Sequence, residues 1–393
     1  MTPLTGDRAP RPIWSSQPYK SMYIVARVSS LLILVPFWFL FYLLPFQRPR
    51  RTWTLRECVM VLVIRWMMPL NAICGLSPMS TDKTYQIPDK ELKETRGVWI
   101  TPVDKVSKEL VKGPAEDGKV RPVKIPGYIW PKRRDWDKYD GLVGLFFHGG
   151  GYMMGNATET FGELAIVREL HKTSDIKMFL SVDYRLCHEA CHPGQLLDAL
   201  SGYTYLIHDA KVDPSRIVFL GACAGGHLAL MLARYLYDTK VLPMPVGIML
   251  FSPMIDLVID GEIERSQEKP RPNTDVDCLN TSFLANLRLI GHHPQDLLWS
   301  TLLSPNKAPP RAYADYPSTF ISVGELEAWR RENEQLCDLM IRDGVDVTWD
   351  VQEDAVHDFW GFGDMVPTKR ARDQVAKHAV EWIHGLLNKI ERI

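Results

Sequence analysis

A cysteine set between glycines is the first feature of this chain that could do chemistry. Gly221, Ala222, Cys223, Ala224 and Gly225 follow the apolar run 217–220 and lead into a helix-forming stretch that reaches Leu232. Strand, tight turn and helix in that order fit a nucleophile elbow of the form Gly-x-nucleophile-x-Gly, with cysteine where serine is usual. The flanking glycines follow from the geometry: strand and helix almost touch at the corner, and a Cβ there would clash. The Cys223 side chain is therefore expected to stand exposed above the sheet. Alone, the same string also fits a glycine-rich turn around an inert buried thiol.

A nucleophile needs donors for the oxyanion it creates, a base, and a group that orients the base. Residues 145–152 read LFFHGGGY, a strand running into three glycines. Backbone N–H groups can approach an oxygen closely there, so Gly150 and Gly151 are the expected donors, completed by Ala224 after the nucleophile. Downstream, 353–359 (EDAVHDF) forms a loop after an expected strand, and 323–327 (VGELE) ends another. Nucleophile, acid and histidine in that chain order assign Cys223, Glu327 and His357. Any one of the 11 histidines taken alone is better read as structural or exposed. His357 stands apart because it ends a strand in the right order. A helix N-terminus and a neighbouring histidine both favour a thiolate.

These residues fall into a set. HGGGY at 148–152, DYRL at 183–186 with Glu189, GACAGG at 221–226, Ser252-Pro253, GELE at 324–327 and HDF at 357–359 together resemble the hormone-sensitive-lipase-like branch of the α/β-hydrolases. The resemblance covers roughly 96–390, with motifs in the family's order and spacing. It implies an eight-stranded, mostly parallel sheet, a cap built from the N-terminal helices and the insertion after the sixth strand, and cofactor-free carboxylester hydrolysis. An anchored N-terminus before such a domain is similar to fungal esterase-like proteins, including those that modify secondary metabolites. Two departures stand out. The family elbow is usually Gly-Asp-Ser-Ala-Gly, whereas Ala222 and Cys223 occupy it here, and the paired change favours a natural cysteine over an engineered one. Cys187 and His188 stand where Ala and Pro are common.

The elements that must position this set come from a 393-residue chain, long enough for one large α/β domain with additions. Its 46% hydrophobic and 24% charged content is that of a globular protein with a substantial core, and a net charge of −1 carries no nucleic-acid footprint. Seven cysteines scattered along it are not a disulfide framework. Cys187, His188, Cys191 and His192 cluster, but the spacing is wrong for haem attachment and no second ligand pair follows at a zinc-like distance, so no metal is expected.

Residues 1–20 read as a tail. Val28–Phe46 is uncharged and nineteen residues long, close to the roughly 20 that a membrane span needs. Basic residues follow it with no small-residue cleavage site, so a retained single-pass anchor is expected rather than a signal peptide. The endoplasmic reticulum is the expected membrane. The excess of Arg48, Arg50, Arg51 and Arg56 over Lys20 and Arg27 mildly favours a cytosolic body, while sequons at Asn156 and Asn280 could be used only if the body were lumenal. The expected organisation is 1–47 tail and anchor, 48–95 an amphipathic cap segment, and 96–393 the catalytic domain with a cap insertion at about 256–311. Leu55–Leu76 carries Arg56, Glu57 and Arg65, which fits an amphipathic helix better than a second span. Strands are expected at 98–101, 120–125, 142–147, 178–182, 217–220, 246–251, 319–323 and 347–351, with helices at 282–290 and 369–389.

Three functions remain open at this stage: a membrane-anchored esterase or acyltransferase acting through Cys223 on a hydrophobic small-molecule ester or lactone; non-acyl chemistry in the same pocket, such as epoxide opening, cyclisation or elimination; or an inactive, ligand-binding relative. Competent residues at all three triad positions argue against the last. Oligomeric state is left open.

Overall fold

The computed structural model describes residues 13–133, 136, 139–258, 275–276, 279–366 and 369–390. Its centre is an eight-stranded sheet of β1 (Arg96–Ile100), β2 (Ile125–Trp130), β3 (Leu142–Phe147), β4 (Ile176–Val182), β5 (Ile217–Ala222), β6 (Gly247–Phe251), β7 (Ser318–Gly324) and β8 (Val347–Gln352). The spatial order is β1-β2-β4-β3-β5-β6-β7-β8. β2 runs antiparallel to both neighbours and every other pairing is parallel.

The central strands are apolar on both faces because helices cover both. Along β3, Val143, Leu145 and Phe147 enter one core while Leu142 and Phe146 enter the other, and β5 divides Ile217 and Phe219 from Val218 and Leu220 in the same way. The first core also holds residues of α6 (Gly194–Thr204), α7 (Ala224–Thr239) and α9 (Arg330–Arg342). The second holds residues of α5 (Leu164–Thr173) and the closing helix α10 (Lys369–Ile390). A single turn, α4 (Val103–Val106), follows β1, and α8 (Leu279–Ile290) lies in the insertion between β6 and β7. The part of that insertion from 259 to 274, where the charged, proline-containing stretch was expected, lies outside the described residues.

The strand expected at 120–125 begins instead at Ile125. Pro126 and Gly127 argue against a strand in sequence. Here Pro126 stands opposite Trp99 of β1, at the very end of the pairing with β4, which begins at Gly127. Its carbonyl still accepts from Asp183 N–H at 3.1 Å just beyond β4, so the missing N–H removes only the reciprocal bond at the end of that ladder.

The apolar N-terminal helix α1 spans Tyr19–Tyr42, starting nine residues before the segment read from sequence and ending four earlier. Its 24 residues make a helix about 36 Å long, enough to cross a hydrocarbon core of about 30 Å. Its most apolar window has no buried residue; Leu32 and Ile33 are 80% and 75% exposed. Two helices, α2 (Leu55–Met67) and α3 (Pro69–Cys74), occupy the region read as amphipathic. Thr54 and Glu57 close a capping box at the start of α2, whose inner face buries Cys58, Val61 and Leu62. Arg27 and Trp66 tie α1 to α2 reciprocally: the guanidinium donates to the Trp66 carbonyl at 2.8 Å, and the indole donates to the Arg27 carbonyl at 3.0 Å. The arginines after α1 face protein groups as well. Arg48 donates to the carbonyls of Tyr42 and Trp53, and Arg50 pairs with Glu325 (3.1 Å) and Asp354 (2.8 Å).

Candidate active site

β5 delivers Cys223 to the C-terminal edge of the sheet with φ 49° and ψ −118°, left-handed backbone that a non-glycine residue adopts only where its surroundings force it. The forcing is visible in the flanking glycines. A Cβ on Gly221 would lie 2.2 Å from the Gly225 carbonyl oxygen, and one on Gly225 would lie 2.0 Å from that of Phe147. Cys223 N–H donates to the Phe251 carbonyl and the Cys223 carbonyl accepts from Met254 N–H, both at 3.0 Å. The thiol does not stand exposed, contrary to expectation: the residue is 9% exposed, because the N-terminal helices and the insertion close over the sheet edge. What remains is a pocket of about 250 Å3 that Cys223 and His357 both line.

His357 and Glu327 come together as the chain order implies. His357 Nδ1 lies 3.2 Å from Glu327 Oε2, and both residues are buried. The carboxylate is itself fixed, since Oε1 accepts from Gly324 N–H at 2.5 Å and from the Ser252 hydroxyl. Ser252 Oγ in turn accepts from Asp358 N–H at 3.2 Å. Burial pulls the imidazole toward its neutral form, but Cys223 and then Glu327 outweigh it and hold His357 well above the ordinary histidine range. His357 Nε2 is buried, has no hydrogen-bond partner within bonding distance among the described residues, and lies on the pocket that Cys223 also lines.

Two of the three glycines after β3 take left-handed backbone conformations. Gly150 and Gly151 have φ of 100° and 60°, and their N–H groups and that of Ala224 take no acceptor among the described residues. His148 supports this loop. Burial lowers its pKa to about 4, its ring stacks on Tyr184 at 4.3 Å, and Nδ1 bonds the Gly149 carbonyl. The DYRL residues are likewise scaffold. Asp183 forms a buried ion pair with Lys83 at 2.5 Å, tying the N-terminal segment to the domain, and Arg185 pairs with Asp198 at 2.8 Å.

Two acids that the sequence did not single out complete the site. Asp275 accepts from His357 N–H (2.9 Å) through Oδ1 and from Ala328 N–H (2.6 Å) through Oδ2, so one carboxylate spans the loops carrying the base and its acid. Glu163 takes the Gly149 N–H and lies against Asp358, as a Cβ on Gly361 would meet both of them within 3 Å. Burial and then the Asp358 charge push Glu163 well above the usual carboxyl range; burial raises Asp358 to about 6, with His357 opposing. The two carboxyls titrate as a pair, with protonation favoured over that of free carboxylates. Neither has a sequence signature: Asp275 sits 82 residues from His357 in the insertion after β6, and Glu163 precedes an ordinary amphipathic helix.

The rest of the pocket is apolar. Met68, Met79, Met153, Met154, Met254 and Met365 line it with Phe161 and Phe362, and Met68, Asn71 and Ala72 bring α2 and α3 to its wall. Flexible thioethers suit a hydrophobic ligand of irregular shape. The Asn156 sequon is closed to glycosylation in this fold, since Asn156 is buried and its amide donates to the Met79 carbonyl at 2.6 Å. The Asn280 side chain lies outside the described residues.

Comparison with known proteins agrees with this architecture. The chain is 24% identical over 317 residues to carboxylesterase NlhH of Mycobacterium tuberculosis, covering 73% of this chain and 94% of the relative. It is 27% identical over 231 residues to versiconal hemiacetal acetate esterase stcI of Emericella nidulans, covering 58% and 77%. Among solved structures, carboxyl esterase 2 of Tuber melanosporum superposes with a TM-score of 0.57 at 20% identity, covering 67% of this chain and 83% of that one. A hormone-sensitive lipase from a metagenome library gives 0.53 at 27% identity, covering 66% and 82%. Residues 144–361, more than half of the chain, match the model of the alpha/beta hydrolase fold family, and the chain belongs to that family.

Proposed function

We propose that this protein is a membrane-anchored carboxylester hydrolase or acyltransferase that acts on hydrophobic small-molecule esters or lactones in fungal secondary metabolism. The observation that carries the reading is Cys223 on a strained elbow, sharing a methionine-lined pocket with a buried His357–Glu327 pair. The esterases among its relatives support the reaction class, and the Emericella nidulans enzyme supports the metabolic setting.

In this mechanism His357 takes the Cys223 thiol proton as Sγ attacks the ester carbonyl carbon, forming the C–S bond while the carbonyl π pair moves to oxygen. The N–H groups of Gly150, Gly151 and Ala224 receive that oxyanion. Its collapse breaks the C–O bond, and His357, oriented by Glu327, protonates the leaving alcohol. The resulting thioester is opened by water or by a second alcohol, whose proton His357 takes. An acyl-thioester passes to an alcohol as readily as to water, which is why transfer and lactone formation stand beside hydrolysis. No cofactor enters this scheme.

Residues 1–47 serve as tail and anchor, 48–95 and the insertion at about 256–311 as the cap, and 96–393 as the catalytic domain. The ties between α1 and α2 support retention of α1, and the place of α2 and α3 in the pocket wall supports substrate entry from the membrane side. The Glu163–Asp358 pair favours a second reading, in which the protonated Glu163 beside the thiol donates a proton in non-acyl chemistry such as epoxide opening. Turnover of p-nitrophenyl esters and aryl lactones by the full chain in detergent, with Cys223→Ala and His357→Ala alongside, separates the two. Covalent acyl chemistry requires both variants to lose at least about 10^3-fold in kcat/KM. Retained turnover in Cys223→Ala transfers the assignment to acid–base chemistry.

A further inference from the structure

Outside the Cys223 pocket, three side chains from distant stretches converge beside a second cavity, of about 770 Å3, which His292 lines together with Cys191 and Lys119. Asp117 Oδ2 lies 2.9 Å from His292 Nε2 and 3.1 Å from His293 Nε2, and all three atoms are within 4.8 Å of one another. We propose that Asp117, His292 and His293 form a divalent transition-metal site, best suited to Zn2+, that clips the end of insertion helix α8 to the loop before β2.

The far sides of Asp117 and His292 are already fixed, as the outer shell of a metal site is. Asp117 Oδ1 accepts from the N–H groups of Lys119 and Val120, which leaves Oδ2 to face the imidazoles. His292 Nδ1 is 3.4 Å from Cys191 Sγ, so Nε2 is the nitrogen presented to Asp117. His293 Nε2 also lies 2.9 Å from the His192 carbonyl, which places a fourth donor, an oxygen, beside the same point. Consecutive side chains ordinarily diverge. Here α8 ends at Gly291 with φ +58°, and the two rings that follow lie 4.3 Å apart at 30°, aimed at one oxygen.

As hydrogen bonds alone, this arrangement would set two N–H donors on a single carboxylate oxygen while one imidazole also serves a carbonyl. A cation instead accepts both ring lone pairs and the carboxylate charge at once. Tetrahedral zinc with bonds of about 2.0–2.1 Å spaces its ligands about 3.4 Å apart, a few tenths of an ångström more than the separations here. Two imidazoles with oxygen donors suit Zn2+ over Mg2+ or Ca2+. The histidines are about a fifth exposed, so an ion can enter from solvent. The clip would act on the cap: His192 N–H donates to the Leu289 carbonyl of α8 at 2.6 Å, and α8 also lends Ala285 to the Cys223 pocket. Reading 187–192 by itself gives no metal, because the partner ligand Asp117 is 175 residues from His292.

The test uses the full chain in detergent, without a polyhistidine tag and stripped with EDTA, titrated calorimetrically with Zn2+ and monitored for thermal unfolding. The expected result is one equivalent bound with Kd of about 1 μM or tighter, and a rise in Tm on loading. Asp117→Asn and His293→Ala should each weaken binding at least about 100-fold and abolish the Tm rise, while Cys191→Ala, altering only the outer shell, should cost about 10-fold. Asp117→Asn keeps the backbone contacts of Oδ1 and so guards against a variant that merely misfolds. Zinc binding weaker than about 0.1 mM, or binding by both ligand variants as tight as in the parent, overturns the site.

Discussion

At the elbow, Cys223 is positioned by backbone against backbone: the strand and helix approach so closely that Gly221 and Gly225 have no room for a methyl group. His357 is positioned by side chains instead, through the carboxylates of Glu327 and Asp275 and the Ser252 hydroxyl. The first arrangement is rigid and insensitive to pH. The second is electrostatic, assembled from four separate loops, and responds to protonation. Glu163 joins the two, with its carboxyl on the glycine loop at Gly149 and against Asp358 of the histidine loop.

The contrast can be broken first on the backbone side. Gly225→Ala puts a Cβ 2.0 Å from a carbonyl oxygen that cannot move independently, so it should cost more than about 4 kcal/mol, or abolish folding, in urea denaturation. Cys223→Ser, at the same elbow, should leave the urea midpoint almost unchanged. On the electrostatic side the order reverses, with function lost before stability. Glu327→Gln should lower kcat on an ester by about 10^3- to 10^4-fold with little change in unfolding, because the imidazole loses its orienting charge. Asp275→Ala removes the carboxylate acceptor of three backbone N–H groups, those of Val276, Ala328 and His357, worth about 1.5–3 kcal/mol each. It should lower kcat by about 10- to 100-fold while KM stays within about twofold, since no substrate-lining group is removed.

The Glu163–Asp358 pair sharpens the comparison through pH. Asp358 releases its proton near 3.8 when unfolded but at about 6 when folded, and Glu163 is displaced in the same direction. Across that window the native state binds more protons than the unfolded one, so stability falls as pH rises from about 4 through 6 and beyond. Glu163→Gln reproduces the protonated carboxyl without its titration. The variant should therefore flatten the decline, which a Tm series from pH 4 to 8 would record. The smallest effect is expected at Arg50→Ala. Its pairs with Glu325 and Asp354 are about a quarter exposed and should contribute no more than about 1 kcal/mol each, and less in high salt.

The same division explains what could be read from the sequence. A close approach, as at Gly221, Gly225, Gly149 and Gly150, or a left-handed backbone, as at Gly151, favours glycine, so the elbow and the glycines after β3 announce themselves in the sequence. Glu327 and His357 were legible because strand ends and chain order constrain them. Asp275, Glu163 and the Asp117–His292–His293 cluster were not, since their partners are brought together only by the closed fold and no local periodicity marks them. β2 was misplaced because Pro126 is a strand breaker except where the neighbouring strand has already ended. The α1 boundary moved because helical length follows backbone propensity, whereas the segment was read from uncharged residues alone.

The central claim is that Cys223 forms a covalent acyl intermediate. Intact-mass analysis of the full chain in detergent, quenched in acid after brief exposure to a short activated acyl ester and followed by peptide mapping, tests it most directly. The account predicts one acyl adduct on Cys223, absent in Cys223→Ala and slowed in His357→Ala. A folded protein with a titratable thiol that hydrolyses the ester, but carries no adduct on Cys223 at any quench time, would contradict it.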